Sequence, residues 1–145
     1  MNKTFIPSSL QRHLYREWFL IDASEKTLGR LATEVANLLQ GKNKVNFYPS
    51  VDMGNYVIIT NVKKIRLTGN KELQKLYYRH SGRPGGLKKE TLQSLRNRIP
   101  QRIFEKAVKG MLPKGPLGRK MFARLKVFEG AEHSYLAQSP QQLSL

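Results

Sequence analysis

The residues best placed to do chemistry lie between Lys71 and Lys89. Lys71, Lys75, Tyr77, Tyr78, Arg79, His80, Arg83, Lys88 and Lys89 follow one another around the glycine-rich segment Ser81 to Gly86. Ammonium and guanidinium groups neutralise phosphates, aromatic faces stack on bases, and glycine lets the backbone come close to a phosphate. The pattern points to nucleic-acid contact; the plainer alternative is a solvated basic face with one tyrosine in the core. Successive strand residues point to opposite sides, so one of Tyr77 and Tyr78 is expected to be core. Lys42 and Lys44, after a helical stretch, are candidates for the same work. So are Lys109, on the polar side of a later helix, and Lys114, Arg119, Lys120 and Arg124 beyond it.

Enzymatic chemistry finds little to work with. There is no cysteine, which removes disulfides, thiolate metal sites and cysteine nucleophiles. His13, His80 and His133 are scattered without ligand-like spacing, and no close DxD pair occurs. Asp22, ending a predicted strand, and His80 are the candidates for a catalytic acid or base. The plainer reading of Asp22 is a helix cap or a hydrogen-bonded loop carboxylate. Neither a Walker-type phosphate loop nor a GxGxxG turn after a strand is present. The two GxxG tetrads, Gly82-Arg83-Pro84-Gly85 and Gly115-Pro116-Leu117-Gly118, are what eleven glycines produce by chance, and they lack the order of elements of a KH domain. No cofactor and no metal are expected.

Charge supplies the partner class. Among 145 residues, 26 Lys and Arg stand against 10 Asp and Glu, a net charge of +16. The excess is local: residues 63–126 hold 19 basic side chains and only Glu72, Glu90 and Glu105, while the other 81 residues hold seven of each sign. Such a surplus repels itself and requires a polyanion, of which nucleic acid is the usual one. A membrane fits less well. No segment reads as a free basic amphipathic helix with aromatic anchors, and apolar runs such as Val57-Ile58-Ile59 fall far short of the ~20 residues of a span. The first residues show no secretory signal. A small RNA-modifying or RNA-cleaving enzyme would also carry a basic surface; a DNA-architectural protein would show a helix-turn-helix or dimer signature, and none is found.

The elements that must position these residues are α/β in character. Trp18-Phe19-Leu20-Ile21 is a continuous apolar run, the mark of a strand covered on both faces. Leu28, Leu31, Ala32, Val35 and Leu38 then line one helical face, with Ser24 or Thr27 as cap and Gly41 as stop. Tyr56-Val57-Ile58-Ile59-Thr60 is a second strand, which makes a βαβ unit. Ile65 and Leu67 alternate with Arg66 and predict a third strand; Leu76-Tyr77-Tyr78 extends the β structure, and residues 81–86 form a loop. Leu92, Leu95 and Ile99 predict a helix broken by Pro100. Ile103, Phe104, Ala107, Val108, Met111 and Leu112 form the cleanest apolar stripe, with Arg102, Lys106 and Lys109 opposite it. Pro116 starts another helix carrying Leu117, Met121 and Leu125 inward, and Val127-Phe128 predicts a last short strand. One domain is expected, with an N-terminal arm over 1–16, a core over 17–130 and a polar tail over 131–145.

The motifs also resemble a known family. Leu28-Gly29-Arg30-Leu31-Ala32, Gly41-Lys42-Asn43-Lys44 and Asp52-Met53-Gly54-Asn55-Tyr56 are similar to the bacterial and organellar form of ribosomal protein L13. Thr68-Gly69-Asn70-Lys71, Tyr77-Tyr78-Arg79-His80-Ser81-Gly82 and Pro84-Gly85-Gly86 continue the match in family order. It is densest in the stretch from Ala107 to Arg119, AVKGMLPKGPLGR, followed by Leu125-Lys126-Val127-Phe128. Asn55 is a departure, standing where the family is expected to carry an acid. The resemblance implies a three-layer α/β/α fold around a small, mainly parallel four-stranded sheet, with a helical basic C-terminal half. It implies no enzymatic activity and no small-molecule substrate. It implies a structural role on the ribosome, in bacterial cytoplasm or chloroplast stroma. There the chain would bind large-subunit rRNA early in assembly and hold RNA segments together, beside large-subunit proteins three and twenty.

Overall fold

The computed structural model describes residues 6, 7 and 16–144; the expected arm over 1–16 lies almost wholly outside the described residues. Strand β1 (Trp18–Asp22) leads into helix α1 (Leu28–Gln40) and then strand β2 (Tyr56–Thr60). β1 and β2 run parallel with Trp18 opposite Tyr56 and Asp22 opposite Thr60, which is the expected βαβ unit. The five apolar residues of the α1 stripe are all buried. Thr27 occupies the N-cap position without a side-chain bond, and the Ser24 hydroxyl donates instead to Asp22. The helix stops at Gly41, whose left-handed backbone (φ 79°) turns its N–H back onto the carbonyls of Asn37 and Leu38.

The basic half follows β2. A 3-10 turn (Val62–Lys64) and a single helical turn, α2 (Lys71–Gln74), precede a hairpin of β3 (Leu76–His80) and β4 (Leu87–Thr91). Helices α3 (Leu92–Arg98), α4 (Gln101–Met111) and α5 (Pro116–Phe122) come next, and the chain returns to the sheet through β5 (Leu125–Val127), a 3-10 turn (Leu136–Gln138) and β6 (Gln141–Gln142). The main sheet has order β5-β2-β1-β6 with every pairing parallel; the hairpin is a separate antiparallel sheet.

The architecture is the expected three-layer α/β/α. On one face Phe19, Ile21, Val57 and Ile59 join the buried residues of α1 with Ile103, Phe104 and Val108 of α4 in a single cluster. The alternate residues point the other way, and that layer is thin. Trp18 stacks on Tyr56 with ring centroids 4.2 Å apart, and Tyr135 covers Trp18 at 5.5 Å.

Several expectations are corrected. Ile65 and Leu67 do not form a strand: Arg66 exchanges backbone hydrogen bonds with Lys26 and Leu28, making one isolated bridge to Thr27. The alternation arose because Ile65 is buried and Leu67 packs at the core edge of an otherwise irregular segment. The last strand predicted at Val127-Phe128 lies instead at Leu125–Val127. The fourth strand comes from the segment read as a polar tail, where Gln141–Gln142 pairs with β1 and the Leu143 N–H donates to the Leu20 carbonyl at 2.9 Å. Glutamines gave no apolar signal because a two-residue edge strand needs backbone groups only.

Met111 is a further correction: the last residue of α4, it is 41% exposed with its sulfur beside the Thr33 hydroxyl, while Phe104 is fully buried. Phe104→Ala is therefore expected to cost about 3–5 kcal/mol. Met111→Ala should cost well under half of that. Urea unfolding of the two variants checks the assignment.

Candidate nucleic-acid interface

The hairpin divides its side chains by strand alternation. Tyr77 pairs with Glu90, Tyr78 with Lys89, Arg79 with Lys88 and His80 with Leu87. Tyr77, Arg79, Lys88 and Glu90 therefore share one side, and Leu76, Tyr78, His80, Leu87 and Lys89 the other. The first side faces α3 and α4. Tyr77 packs half-buried against the core, and its ring lies 4.6 Å from Lys106 Nζ and 5.5 Å from Lys75 Nζ. Burial raises the Tyr77 phenol above its ordinary range. On the second side Tyr78 is 56% exposed, with Lys89 Nζ 6.0 Å from its ring centroid. The choice left open in the sequence thus resolves: Tyr77 packs against the core and Tyr78 turns its ring outward.

The loop 81–86 closes the hairpin by backbone bonds from Ser81 N–H to the Gly86 carbonyl and from Gly86 N–H to the Arg83 carbonyl. His80 Nδ1 accepts the Gly82 N–H at 2.9 Å, so this ring braces the turn. Arg83, Lys88 and Lys89 are exposed around it. At the hairpin base, Lys71 and Lys75 line a groove of about 550 Å³ with Arg66, a cation that the spacing of charges in the sequence did not single out.

A second basic site is built by the α4–α5 connection. Lys109, Lys114 and Arg119 surround a groove of about 510 Å³ floored by Leu112, Pro113 and Phe122. Gly118 makes the corner possible, because a Cβ there would sit 1.8 Å from the Pro113 carbonyl oxygen. Lys120 is exposed on the same short helix, and Lys42 is exposed beyond α1. Lys44 turns partly inward, and burial lowers its ammonium from the ordinary lysine range. The outer-face residues Arg102 and Lys106 of α4 turn out to look toward the hairpin.

Arg124 leaves the list of nucleic-acid contacts. It is only 4% exposed, and its guanidinium is ion-paired with Asp52 while donating to the carbonyls of Leu39 and Asn55. Its charge type suggested a surface role; only its place at the start of β5 reveals a buried one. Asp22 takes the plainer of its two readings: its carboxylate accepts from the Ser24 N–H, the Ser24 hydroxyl and the Asn61 amide. The Ser24 backbone bond is the chief reason its pKa lies below the ordinary value. Among the described residues no group of three His, Cys, Asp or Glu could hold a metal ion, and no helix is long and apolar enough to cross a membrane.

Comparison with known proteins bears on this arrangement. The family described as ribosomal protein L13 matches residues 16–134. The chain is 59% identical over 145 residues to a protein of Prochlorococcus marinus named large ribosomal subunit protein uL13, covering 100% of this chain and 95% of that one. Its counterpart of the same name in Synechococcus sp. (strain WH7803) is 57% identical with the same coverage. Another, in Prochlorococcus marinus (strain MIT 9301), is 56% identical and covers 99% of each chain.

Two outcomes follow from the geometry. Arg124→Ala leaves Asp52 buried beside Arg16 alone and should destabilise the fold by about 3–5 kcal/mol, read from thermal melts. Glu90 is held below the ordinary carboxylate value of 4.5 chiefly by its hydrogen bonds from Arg98. A carboxylate lowered in the folded state adds stability above the ordinary range and loses it as pH falls through the lowered value. The NMR titration midpoint of Glu90 should accordingly lie below 4.5 and rise in Arg98→Ala.

Proposed function

The chain belongs to the ribosomal protein L13 family, and from that premise we propose that it is a structural, non-enzymatic constituent of the large ribosomal subunit whose basic half binds large-subunit rRNA. The observation that carries the reading is the division of the molecule. A neutral βαβ unit forms the frame, and the hairpin and the α4–α5 corner hold exposed cations and the exposed ring of Tyr78 away from it. Phosphate contacts of this kind position a protein on RNA and carry little sequence information. A-form RNA hides its major groove, so backbone shape, 2′-hydroxyls and unpaired bases are the features within reach. Binding early in assembly suits a chain that joins RNA segments, and the family resemblance implies proteins three and twenty as its neighbours. Its location is the ribosome, of a bacterium or of a chloroplast.

The rival reading, an RNA-processing enzyme, needs a free acid or base beside the basic face. Asp22 and His80 are both engaged in hydrogen bonds that shape their own turns.

Co-sedimentation with large ribosomal subunits tests the assignment directly; a chain that stays at the top of the gradient overturns it. With about six phosphates neutralised, log K against log salt should fall with a slope of order −4 to −5, and a flat dependence removes the electrostatic mechanism. Lys109→Ala should weaken rRNA binding while leaving the melting temperature nearly unchanged.

A further inference from the structure

The corner between the hairpin and the helices has its own construction. β4 runs straight into α3, and Thr91, N-cap of that helix, accepts the Ser94 N–H at 3.3 Å. Glu90 reaches across the corner to Arg98, whose Nε and Nη2 lie 3.1 and 2.7 Å from its two oxygens. Beside this pair lies a cleft of about 250 Å³ between the hairpin and α4. Arg79 and Lys88 form one wall and Arg102 and Lys106 the other.

Both walls are unfavourable in isolation. Arg79 and Lys88 stand directly opposite each other across the two strands, where like charges repel. Arg102 and Lys106 are one turn apart on α4, again a like-charge pair. Among the described residues Arg79, Lys88 and Arg102 have no carboxylate partner, and the sole acid lining the cleft, Glu90, is already held by Arg98. Lys106 and Arg102 lie close enough to Glu90 to help hold it ionised, so the two walls and the acid share one field. The Lys106 ammonium lies over the Tyr77 ring, 4.6 Å from its centroid. The space, about 250 Å³, lies below the ~300–1,000 Å³ of small-molecule pockets and admits an anionic group the size of a phosphate.

We infer that this cleft is a seat for one backbone phosphate of the bound RNA, walled by the hairpin and α4, and that Glu90 is the positioning residue that sets the distance between the walls through Arg98. The inference rests on the rRNA-binding reading above. It carries an outcome that simple charge counting contradicts: removing an acid from a polyanion-binding face should tighten binding, yet removing this one loosens it.

The test uses the full chain, a large-subunit rRNA fragment that it binds, and filter binding across a salt series, with thermal melts as the control for folding. The double variants R79A/K88A and R102A/K106A should each lose about tenfold or more in affinity, and each should flatten the log–log salt slope by about 0.7–0.9, the equivalent of one phosphate. The quadruple variant should lose little beyond either double and no further slope, because both walls grip the same group. Glu90→Gln should weaken binding despite the lost negative charge. Glu90→Asp, which keeps the charge and shortens the reach, should weaken it too. Multiplied losses and a twice-flattened slope in the quadruple would show separate contacts and overturn the single seat. Tighter binding by Glu90→Gln would overturn the positioning role. A parent chain that binds no rRNA fragment removes the parent reading itself, whereas a binding parent with unaffected variants removes only the seat.

Discussion

A single buried guanidinium ties the frame together. Arg124, at the threshold of β5, donates to the Leu39 carbonyl at the end of α1 and to the Asn55 carbonyl just before β2, and pairs with Asp52 between them. Asp52 also takes Arg16, which precedes β1. Four places far apart in the chain are therefore fixed around one guanidinium–carboxylate pair. The approach is so close that position 54 must be glycine, since a Cβ there would fall 1.7 Å from the Leu39 oxygen and 2.7 Å from Arg124 Nη2. Burying such charges is costly unless each finds partners, and here the geometry supplies most of them. Asn55 sits fully buried in this cluster, and among the described residues its amide nitrogen has no hydrogen-bond partner.

With the frame held this way, the surplus of positive charge can be kept out of the core. α4 does both jobs at once. Ile103, Phe104 and Val108 close the apolar cluster while Arg102, Lys106 and Lys109 leave it on the other side. The hairpin takes no part in the main sheet, and the acids at and near it are spent on joints: Glu90 on Arg98 and Glu72 on Arg96, whose guanidinium also donates to the Ile65 carbonyl. The few carboxylates of the basic half thus orient cations more than they neutralise them.

What could be read from the sequence tracks periodicity. The α1 stripe, the Gly41 stop, the two central strands and Pro116 in the first turn of α5 all rest on local spacing or backbone chemistry, and all stand in the structure. β6 was illegible because a short edge strand needs no apolar side chains, and β4 because its LKKET sequence carries charges that a half-exposed hairpin tolerates. At the candidate interface, residue type matched surface exposure for the hairpin cations and misled at Arg124. A cation's role there depends on a carboxylate 72 positions away, and nothing in local spacing announces such a partner. Lys106 and Arg102 were legible as an outward face but not as half of a cleft, since that required the hairpin's placement.

The strand order β5-β2-β1-β6 also bears on how the chain comes to be folded as it is made. Synthesis runs from the N-terminus, so β1 and β2 and the helix between them emerge first and can pair through a short loop closure. β1 then remains with one open edge, its backbone groups unmatched, while the whole basic half is still to come. Only when residues 141–142 arrive is that edge covered, and the same late segment lays Tyr135 over the Trp18–Tyr56 stack. The first strand of the sheet in chain order is thus the one whose second edge waits for the chain's far end.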